Sequence, residues 1–375
     1  MLEIRTLGPA DPEFAAWHEV LRAAYALGRD PGWWESLEAT RRYFTDPGRR
    51  TSHIAMVALA EGVVVGGAEL ALPHEHDTQT VSVQVGVAAT RRGRGVGSAL
   101  AERVGELVRL EGRHLVQSEL FVPAGIEWAT WPGGRFAQRY GLRSMSREDR
   151  FLLDLPVDLE RLDALESSLR VGGSGGSADD GSDAQRAQPA KPAEPAKPAE
   201  PAERIVSWLG PCPDSLLAEW ARLQTQMNED VRVGELTRTA RAVDVARIRE
   251  SDVRMAGMGW TKVRSMALGP GDAGIGYTEM FVSAYDPDFV VQDDTLVDRA
   301  HRGRRLGAQL KLANLRQLHA HADTLIGSRR WIQTTTEQGN AAMQRTNERF
   351  GFRRVDVLHE CEGRVAENET MSTSD

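Results

Sequence analysis

Cysteine is nearly absent from this chain of 375 residues, which contains only Cys212 and Cys361. The two are far apart in sequence and form no metal-binding or redox motif, so nothing in their placement requires a disulfide or a zinc site. Long apolar runs are also missing, since no stretch approaches the roughly 20 residues that a membrane span requires. The N-terminus has no apolar segment typical of a signal peptide. We therefore expect a cytoplasmic protein with no membrane partner.

Basic residues are fewer than acidic residues. The chain has 46 Lys and Arg residues against 54 Asp and Glu, which gives a formal net charge of −8. This balance argues against a general nucleic-acid partner. The contents of hydrophobic residues (41%) and charged residues (27%) are those of a globular protein, and the length allows two domains. Aromatic residues are sparse, and tryptophans at helical spacing, such as Trp17 and Trp220, are interpreted mainly as core.

One segment of low complexity divides the chain. Glycine and serine dominate residues 172–177, and residues 190–203 read AKPAEPAKPAEPAE. Such a composition favours an extended spacer that cannot bury a core. We predict an N-terminal domain over residues 1–168, a disordered linker over 169–203, a C-terminal domain over 204–361 and a disordered tail over 362–375.

The two predicted domains repeat one pattern. In the first, Val81, Val83, Val85 and Val87 alternate with polar or small residues, which is typical of a strand. An apolar stripe that starts at Leu100 predicts a helix shortly after it. The second domain repeats the order of strand, glycine-containing bend and helix, which indicates an internal duplication.

Each bend combines arginine with glycine where the strand gives way to the helix. The first bend has the pattern Arg-x-x-Gly-x-Gly, formed by Arg92, Gly95 and Gly97. Glycine lets the backbone approach a ligand closely, and the first turn of a helix offers unpaired N–H groups to an anion. We therefore predict two phosphate-binding bends. In the second bend Arg305 stands where the first has Gly95, and its side chain either crowds the phosphate or swings out and adds a contact.

The Arg-x-x-Gly-x-Gly pattern resembles the pyrophosphate loop of the GNAT superfamily of acyl-CoA-dependent N-acyltransferases. The duplication resembles the tandem actinobacterial type, of which mycothiol synthase is a member. The resemblance implies an α/β (α+β) fold of two tandem GNAT-like domains, each a mixed central sheet flanked by helices. It places a cleft for acetyl-CoA (coenzyme A) between the splayed fourth and fifth strands, and no metal site is expected. The implied cofactor-binding residues are Val85, Val87, Arg92, Gly93, Arg94, Gly95, Val96, Gly97, Ser98, Val297, Arg302, Gly303, Arg304, Arg305, Leu306, Gly307 and Asn340.

Acyl transfer to an amine needs a group that accepts the amine proton. Glu69 and Glu279 lie at equivalent positions, each three residues after a glycine on the strand before the cofactor strand. They are our candidate catalytic bases, with solvent-facing strand residues as the alternative, and Asp294 is a further candidate. In many members of the family, a tyrosine four residues before a Gly-Phe pair acts as the general acid that protonates the leaving thiolate. The corresponding positions in this chain are Ala137 and Asn347. The possible replacements are Tyr140, Tyr285 and solvent.

The predicted function is that of an N-acetyltransferase that moves an acetyl group from acetyl-CoA to a primary amine of a small molecule in a ternary complex. The missing tyrosines favour a non-catalytic acyl-CoA-binding sensor or scaffold, and a protein-lysine or N-terminal acetyltransferase is a third possibility. The C-terminal half is expected to carry turnover, because its Asn340 helix and Phe350-Gly351-Phe352 ending match the family better. The N-terminal bend is the cleaner of the two, so the reverse assignment stays open. The expected assembly is a monomeric pseudo-dimer or a homodimer.

Overall fold

The computed structural model describes residues 1–46, 48–171, 203–230 and 234–365. The predicted linker lies almost wholly outside these ranges, as do the last ten residues of the predicted tail. Within the described ranges, no helix is both long and apolar enough to cross a membrane.

In the described residues, the N-terminal half contains six strands and five α-helices, with two helices between the first and second strands and three consecutive strands from the second to the fourth. The strands are β1 (Leu2–Leu7), β2 (Thr51–Ala60), β3 (Val63–Pro73), β4 (Thr80–Val87), β5 (Leu115–Pro123) and β6 (Arg143–Asp154). The helices are α1 (Phe14–Tyr25), α2 (Leu37–Thr45), α3 (Val96–Leu110), α4 (Pro132–Arg139) and α5 (Leu159–Val171).

The C-terminal half repeats the order of strands. Its strands are β7 (Arg204–Leu209), β8 (Trp260–Leu268), β9 (Gly274–Ser283), β10 (Phe289–Val297), β11 (Trp331–Glu337) and β12 (Arg353–Arg364). Its helices are α6 (Leu217–Asp230), α7 (Val245–Gly257), α8 (Leu306–Ala320), the short α9 (Ala322–Leu325) and α10 (Ala341–Phe350). The mixed α/β fold implied by the family resemblance is thereby confirmed, and Trp17 and Trp220 are both completely buried in the core.

The twelve strands of the described residues form one continuous sheet, in the order β1-β2-β3-β4-β5-β12-β6-β11-β10-β9-β8-β7. The last strand of each half therefore lies among strands of the other half. β12 pairs with β5 from Asp356 opposite Pro123 to Arg364 opposite Leu115. β6 pairs on one side with β11 and on the other with β12, both from the C-terminal half. The two halves thus complete each other's sheets, which the sequence analysis did not predict.

Two of the predicted domain limits differ from the structure, and the exchange of strands accounts for one of them. β12 continues to Arg364, inside the predicted tail, because its backbone pairs with β5 up to that residue. α5 runs to Val171, beyond the predicted boundary at residue 168.

The fourth and fifth strands of each half separate after a short parallel pairing. β4 and β5 pair only from Thr80 to Ser82, and β10 and β11 pair only from Phe289 to Val291. Beyond these residues the strands diverge and leave backbone groups unpaired along the cleft. The predicted splay between the fourth and fifth strands is confirmed in both halves, and the bend after each fourth strand leads directly into α3 or α8.

Candidate active site

The two arginine-glycine bends have the same backbone anchor. The Nε of Arg92 donates to the carbonyl of Val87 at 3.1 Å, and the Nε of Arg302 donates to the carbonyl of Val297 at 3.1 Å. In each half the arginine therefore ties the bend to the end of the fourth strand. The sequence resemblance between the bends extends to their three-dimensional geometry.

Left-handed backbone conformations shape both bends. Gly93 and Gly95 have φ of 70° and 84°, and Gly303 and Arg305 have φ of 81° and 60°. Arg305 thus adopts the conformation of Gly95 in spite of its side chain, at a typical cost of about 1–2 kcal/mol. Its Nη1 donates to the carbonyl of Ser168 in α5 at 3.3 Å. Of the two alternatives for Arg305, the outward-reaching side chain is the one in the structure.

The amides of the second bend face a large cleft. Residues 306 and 307 open α8, so their N–H groups have no partner within the helix. The cleft has a volume of about 1300 Å³ and lies between the diverging ends of β10 and β11. Most of the predicted binding residues of this half line it, including Val297, Arg302, Gly303 and Asn340. Arg304 instead pairs with Glu203 at 2.6 Å.

Basic side chains that the sequence analysis missed lie on the helical side of this cleft. Arg345 and Arg349 on α10 line it together with Arg305. Arg302 also lines it, although its guanidinium is paired with Asp230 at the end of α6. Arginines near unpaired amides form a suitable environment for phosphate groups. The sequence could have revealed Arg345 and Arg349, because they lie four residues apart in a predicted helix and so share one helical face.

The corresponding region of the N-terminal half is more crowded. A Cβ placed on Gly97, in the first turn of α3, would lie only 3.2 Å from the ring of Phe136 on α4. Thr346 is the equivalent residue on α10, since each lies five residues before the left-handed glycine that follows its helix. Near Gly307 the closest side chains belong to the strand itself, at 3.6 Å or more. Phe136 therefore narrows the first cleft at the position where Thr346 leaves the second one open.

A β-bulge distinguishes the two cofactor strands. β4 pairs with β3 in unbroken register from Val87 to Ser82, so Val85 and Val87 lie in a regular ladder. β10 shifts register against β9 between Gln292 and Thr295. A bulge leaves backbone groups out of the ladder and redirects side chains. Here it brings Asp293 and Asp294 to the wall of the cleft.

Three carboxylates meet at this bulge. Oxygen atoms of Glu279, Asp293 and Asp294 all lie within 4.8 Å of one another, a grouping that can hold a cation. Burial and the neighbouring Glu279 raise the pKa of Asp294, and a hydrogen bond from the Tyr277 hydroxyl at 2.8 Å lowers it, so that the net pKa is about 6. A carboxylate with a pKa of about 6 suits a proton acceptor that works near neutral pH.

Glu279 has a different environment from Asp294. Its Oε2 accepts from the Nε of Arg264 at 3.0 Å, and both side chains are almost completely buried. Arg264 in turn contacts Asp252 at 3.0 Å. The carboxylate of Glu279 is therefore held in a buried ion pair, on the side of β9 that faces β8. Register explains the pair, since Arg264 lies directly opposite Glu279 on β8, where the N-terminal half has Ala55 opposite Glu69.

Glu69 therefore lacks the partner that its counterpart has. Burial raises the pKa of Glu69 to about 7. Burial also raises the pKa of Glu35, between α1 and α2, to about 7, with added effects of Asp286 and Glu69. The two equivalent glutamates of the sequence analysis are thus one ion-paired residue and one residue with a raised pKa.

Tyr140 and Tyr285, the candidate general acids, lie away from the cleft of the C-terminal half. Tyr140 packs on Phe136 with ring centroids 5.0 Å apart, and Tyr285 faces the guanidinium of Arg42 at 4.9 Å. Asn347, at the usual tyrosine position, is buried and donates to Thr336 at 3.0 Å. Neither tyrosine lies where it could protonate a group bound between β10 and β11.

One lysine in the cleft was not predicted. Lys311 lies in the second turn of α8, lines the cleft and is only 3% exposed. Burial lowers its pKa to about 7. Among the described residues it forms no hydrogen bond or ion pair, and its ammonium lies 5.6 Å from the centre of the Phe352 ring.

Comparison with known proteins agrees with this geometry. The model of the acetyltransferase (GNAT) family matches residues 14–122. Over its whole length the chain is similar to a solved tandem GNAT protein from the clavulanic acid biosynthesis pathway, with 24% identity, a TM-score of 0.71, and coverage of 98% of this chain and 100% of that one. It is also similar to a GCN5-related N-acetyltransferase from Sphaerobacter thermophilus, with 14% identity, a TM-score of 0.58, and coverage of 98% and 96%. No curated protein matches. The match to the GNAT family model thus lies within the N-terminal half, at residues 14–122, and the chain as a whole has the fold of a tandem GNAT protein.

Proposed function

We propose that the protein is an acetyl-CoA-dependent N-acetyltransferase that acetylates a primary amine of a small molecule in its C-terminal cleft. The observation that carries the proposal is the bulge in β10. It brings Asp294 to the wall of the cleft whose other end is formed by the arginine-glycine bend of α8. A proton acceptor and an anion-binding helix terminus thereby share one cavity.

The residues present fit the donor. The unpaired amides at the start of α8 accommodate a pyrophosphate, and the open space beside Gly303 lets the phosphates approach the backbone. Arg345 and Arg349 add positive charge on the same side. Acetyl-CoA supplies an activated acetyl group, to which the amine nitrogen bonds as the carbon–sulfur bond breaks. The unpaired backbone N–H groups of the bulge are suited to polarise the acetyl carbonyl.

Asp294 is assigned the role of accepting the proton of the amine. An alkylammonium must lose a proton before its nitrogen can attack, and a second proton leaves once the new bond has formed. Asp294 takes up a proton and passes it to solvent, and the departing thiolate takes its proton from solvent. Glu279 acts through Asp294, because its negative charge raises the pKa of that carboxyl. Asp294 is thus the catalytic residue and Glu279 a positioning residue.

The test uses the full chain with acetyl-CoA and a panel of primary amines, with thiol release and product mass as readouts. We expect amine-dependent thiol release and a product heavier by one acetyl group. Binding of acetyl-CoA without any product from amines would support the sensor or scaffold alternative. Product only from peptide lysines or peptide N-termini would support the protein-modifying alternative, and absence of acetyl-CoA binding would overturn all three.

A further inference from the structure

Four glutamates cross the centre of the sheet on four adjacent strands. Glu119 on β5 lies directly opposite Glu360 on β12, and Glu148 on β6 lies directly opposite Glu337 on β11. Glu148 also lies near Glu360, because its partner on β12 is Leu358, two residues away on the same face. We call these four residues the glutamate row. Like charges placed directly opposite each other destabilise a sheet, so folding alone gives no reason for this arrangement.

The row is only partly neutralised. Arg238 donates to Glu360 at 3.1 Å and is the one cation that forms an ion pair with the row in the described part of the chain. Burial raises the pKa of Glu148, and the nearby Glu360 adds to that rise. Among the described residues, the four carboxyl groups thus share a single ion-pair partner.

The row continues the wall of the proposed active site. Glu148 and Glu337 line the same cleft as Asp293 and Asp294. The opposite side of the cleft is formed by α8 and α10 and carries Lys311 together with the arginines described above. The cleft thus has a basic helical side, which suits the phosphates of the donor, and an acidic sheet side.

A second, independent observation on the sheet side also points to a ligand that donates hydrogen bonds. Gln292 lines the cleft and is 2% exposed. Its Nε2 donates to the Thr278 hydroxyl at 3.1 Å and to the Glu279 carbonyl at 2.9 Å, which fixes the orientation of the amide. Its Oε1 accepts no hydrogen bond from the described residues. A buried acceptor without a donor is costly, and an N–H group of a bound amine would satisfy it.

We propose that the acceptor is a compound with at least two cationic nitrogens, such as a linear diamine or polyamine. One nitrogen reacts beside Asp294, and a second ammonium binds to the glutamate row through Glu148 and Glu337. This inference rests on the proposed function of the same cleft. It adds the chemical class of the acceptor and assigns its recognition to one strand from each half, the exchanged β6 and its neighbour β11.

The first experiment compares putrescine and spermidine with n-butylamine as acceptors for the full chain. We expect kcat/KM to be at least tenfold higher for the two polycationic amines. In a Glu148→Gln/Glu337→Gln double variant this preference should fall to less than threefold, mainly through a rise in the KM of the polycationic amine. Glu160→Gln, at an exposed position on α5, is the matched control and should retain the full preference.

A second experiment does not depend on turnover. Spermidine binding to the full chain is measured by calorimetry, for the wild type and the double variant with its melting temperature recorded as a check of folding. Tenfold weaker binding to a folded double variant supports the inference, even if no amine is acetylated and the proposed function fails. Equal kcat/KM for butylamine and putrescine, equal spermidine binding to both proteins, or stabilisation by Mg²⁺ or Ca²⁺ in place of the amine would overturn it.

Discussion

The ring of Phe136 lies against Gly97 at the first turn of α3, whereas Thr346, its equivalent, leaves Gly307 free at the first turn of α8. The difference concerns one side chain on the helix that faces each phosphate-binding bend. Because both bends have the same anchoring arginine and the same left-handed backbone, this side chain accounts for much of the contrast between the two clefts.

Exchanging the two residues should therefore change how many donors bind. We expect Thr346→Phe to weaken acetyl-CoA binding by the full chain at least tenfold, because the ring occupies the cleft beside Gly307. Phe136→Ala should open the first cleft and raise the number of acetyl-CoA molecules bound per chain from one to two. Calorimetric titration of the full chain measures both, and Thr346→Val, which keeps the size of the side chain, is the control. A stoichiometry of two in the wild type, or full affinity in Thr346→Phe, would contradict this account.

The base is tested by Asp294→Asn. We expect kcat to fall by roughly 10²–10⁴, the usual contribution of a general base. In the wild type, kcat/KM should rise with pH through a group with a pKa of about 6, and the variant should lose this limb. Glu279→Gln should instead lower the apparent pKa of the limb, because it removes the neighbouring negative charge. It should also lower the melting temperature, since Arg264 would be left with one carboxylate fewer. An unchanged pH profile in Asp294→Asn would refute the assignment.

Asp294→Asn also has a stability consequence with a defined sign. The folded-state pKa of Asp294 lies above its usual value of 3.8, at about 6, so between these values the folded chain binds more protons than the unfolded chain. The free energy of unfolding therefore falls as pH rises through this window. Above pH 6 the variant should be at least as stable as the wild type, and below pH 4 this advantage should disappear. Thermal melts of both proteins from pH 4 to 8 measure the difference.

Lys311 should show the opposite dependence on pH. Burial lowers its pKa from 10.5 to about 7, so between these values the folded chain binds fewer protons than the unfolded chain. Its effect on the free energy of unfolding becomes more favourable as pH rises from 7 towards 10. Lys311→Met keeps an unbranched side chain, shorter by one atom, and removes the charge. We expect a gain of about 1–3 kcal/mol at pH 7, the usual cost of an unpaired buried polar group, that shrinks towards pH 10. Parallel melting curves across this range would show that Lys311 has a partner.

The exchange of strands predicts how the halves behave apart. Residues 1–171 alone lack β12 between β5 and β6, and residues 203–375 alone lack β6 between β12 and β11. Each half would expose unpaired strand edges, so we expect aggregation or poor folding of either half alone. Co-expression of both should give a soluble one-to-one complex. Size-exclusion chromatography and thermal melts test this, and a monomeric half with a sharp melting transition would refute it.

Local features of this fold were predictable because they leave local patterns. The valines of β4 alternate with period two, and the arginine-glycine bends stand at the junction of strand and helix, so these elements followed from the sequence. The splayed cleft was an implication of the family resemblance. The exchange of β6 and β12 was not predictable, since either strand carries the same kind of pattern whichever sheet it joins. The ion pair of Glu279 with Arg264 depends on strand register and was equally hidden. Asp293 and Asp294, adjacent within an apolar strand, were the visible signal of the bulge.

Because the described neighbours of β6 are β11 and β12, a nascent chain cannot complete the sheet of its first half before the ribosome has synthesised β12. The same dependence bears on the history of the duplication. A lineage that lost catalysis in one half could not delete that half, because one strand of it lies within the sheet of the other half. The N-terminal half would therefore be retained for its structural role even though Phe136 narrows its own cleft.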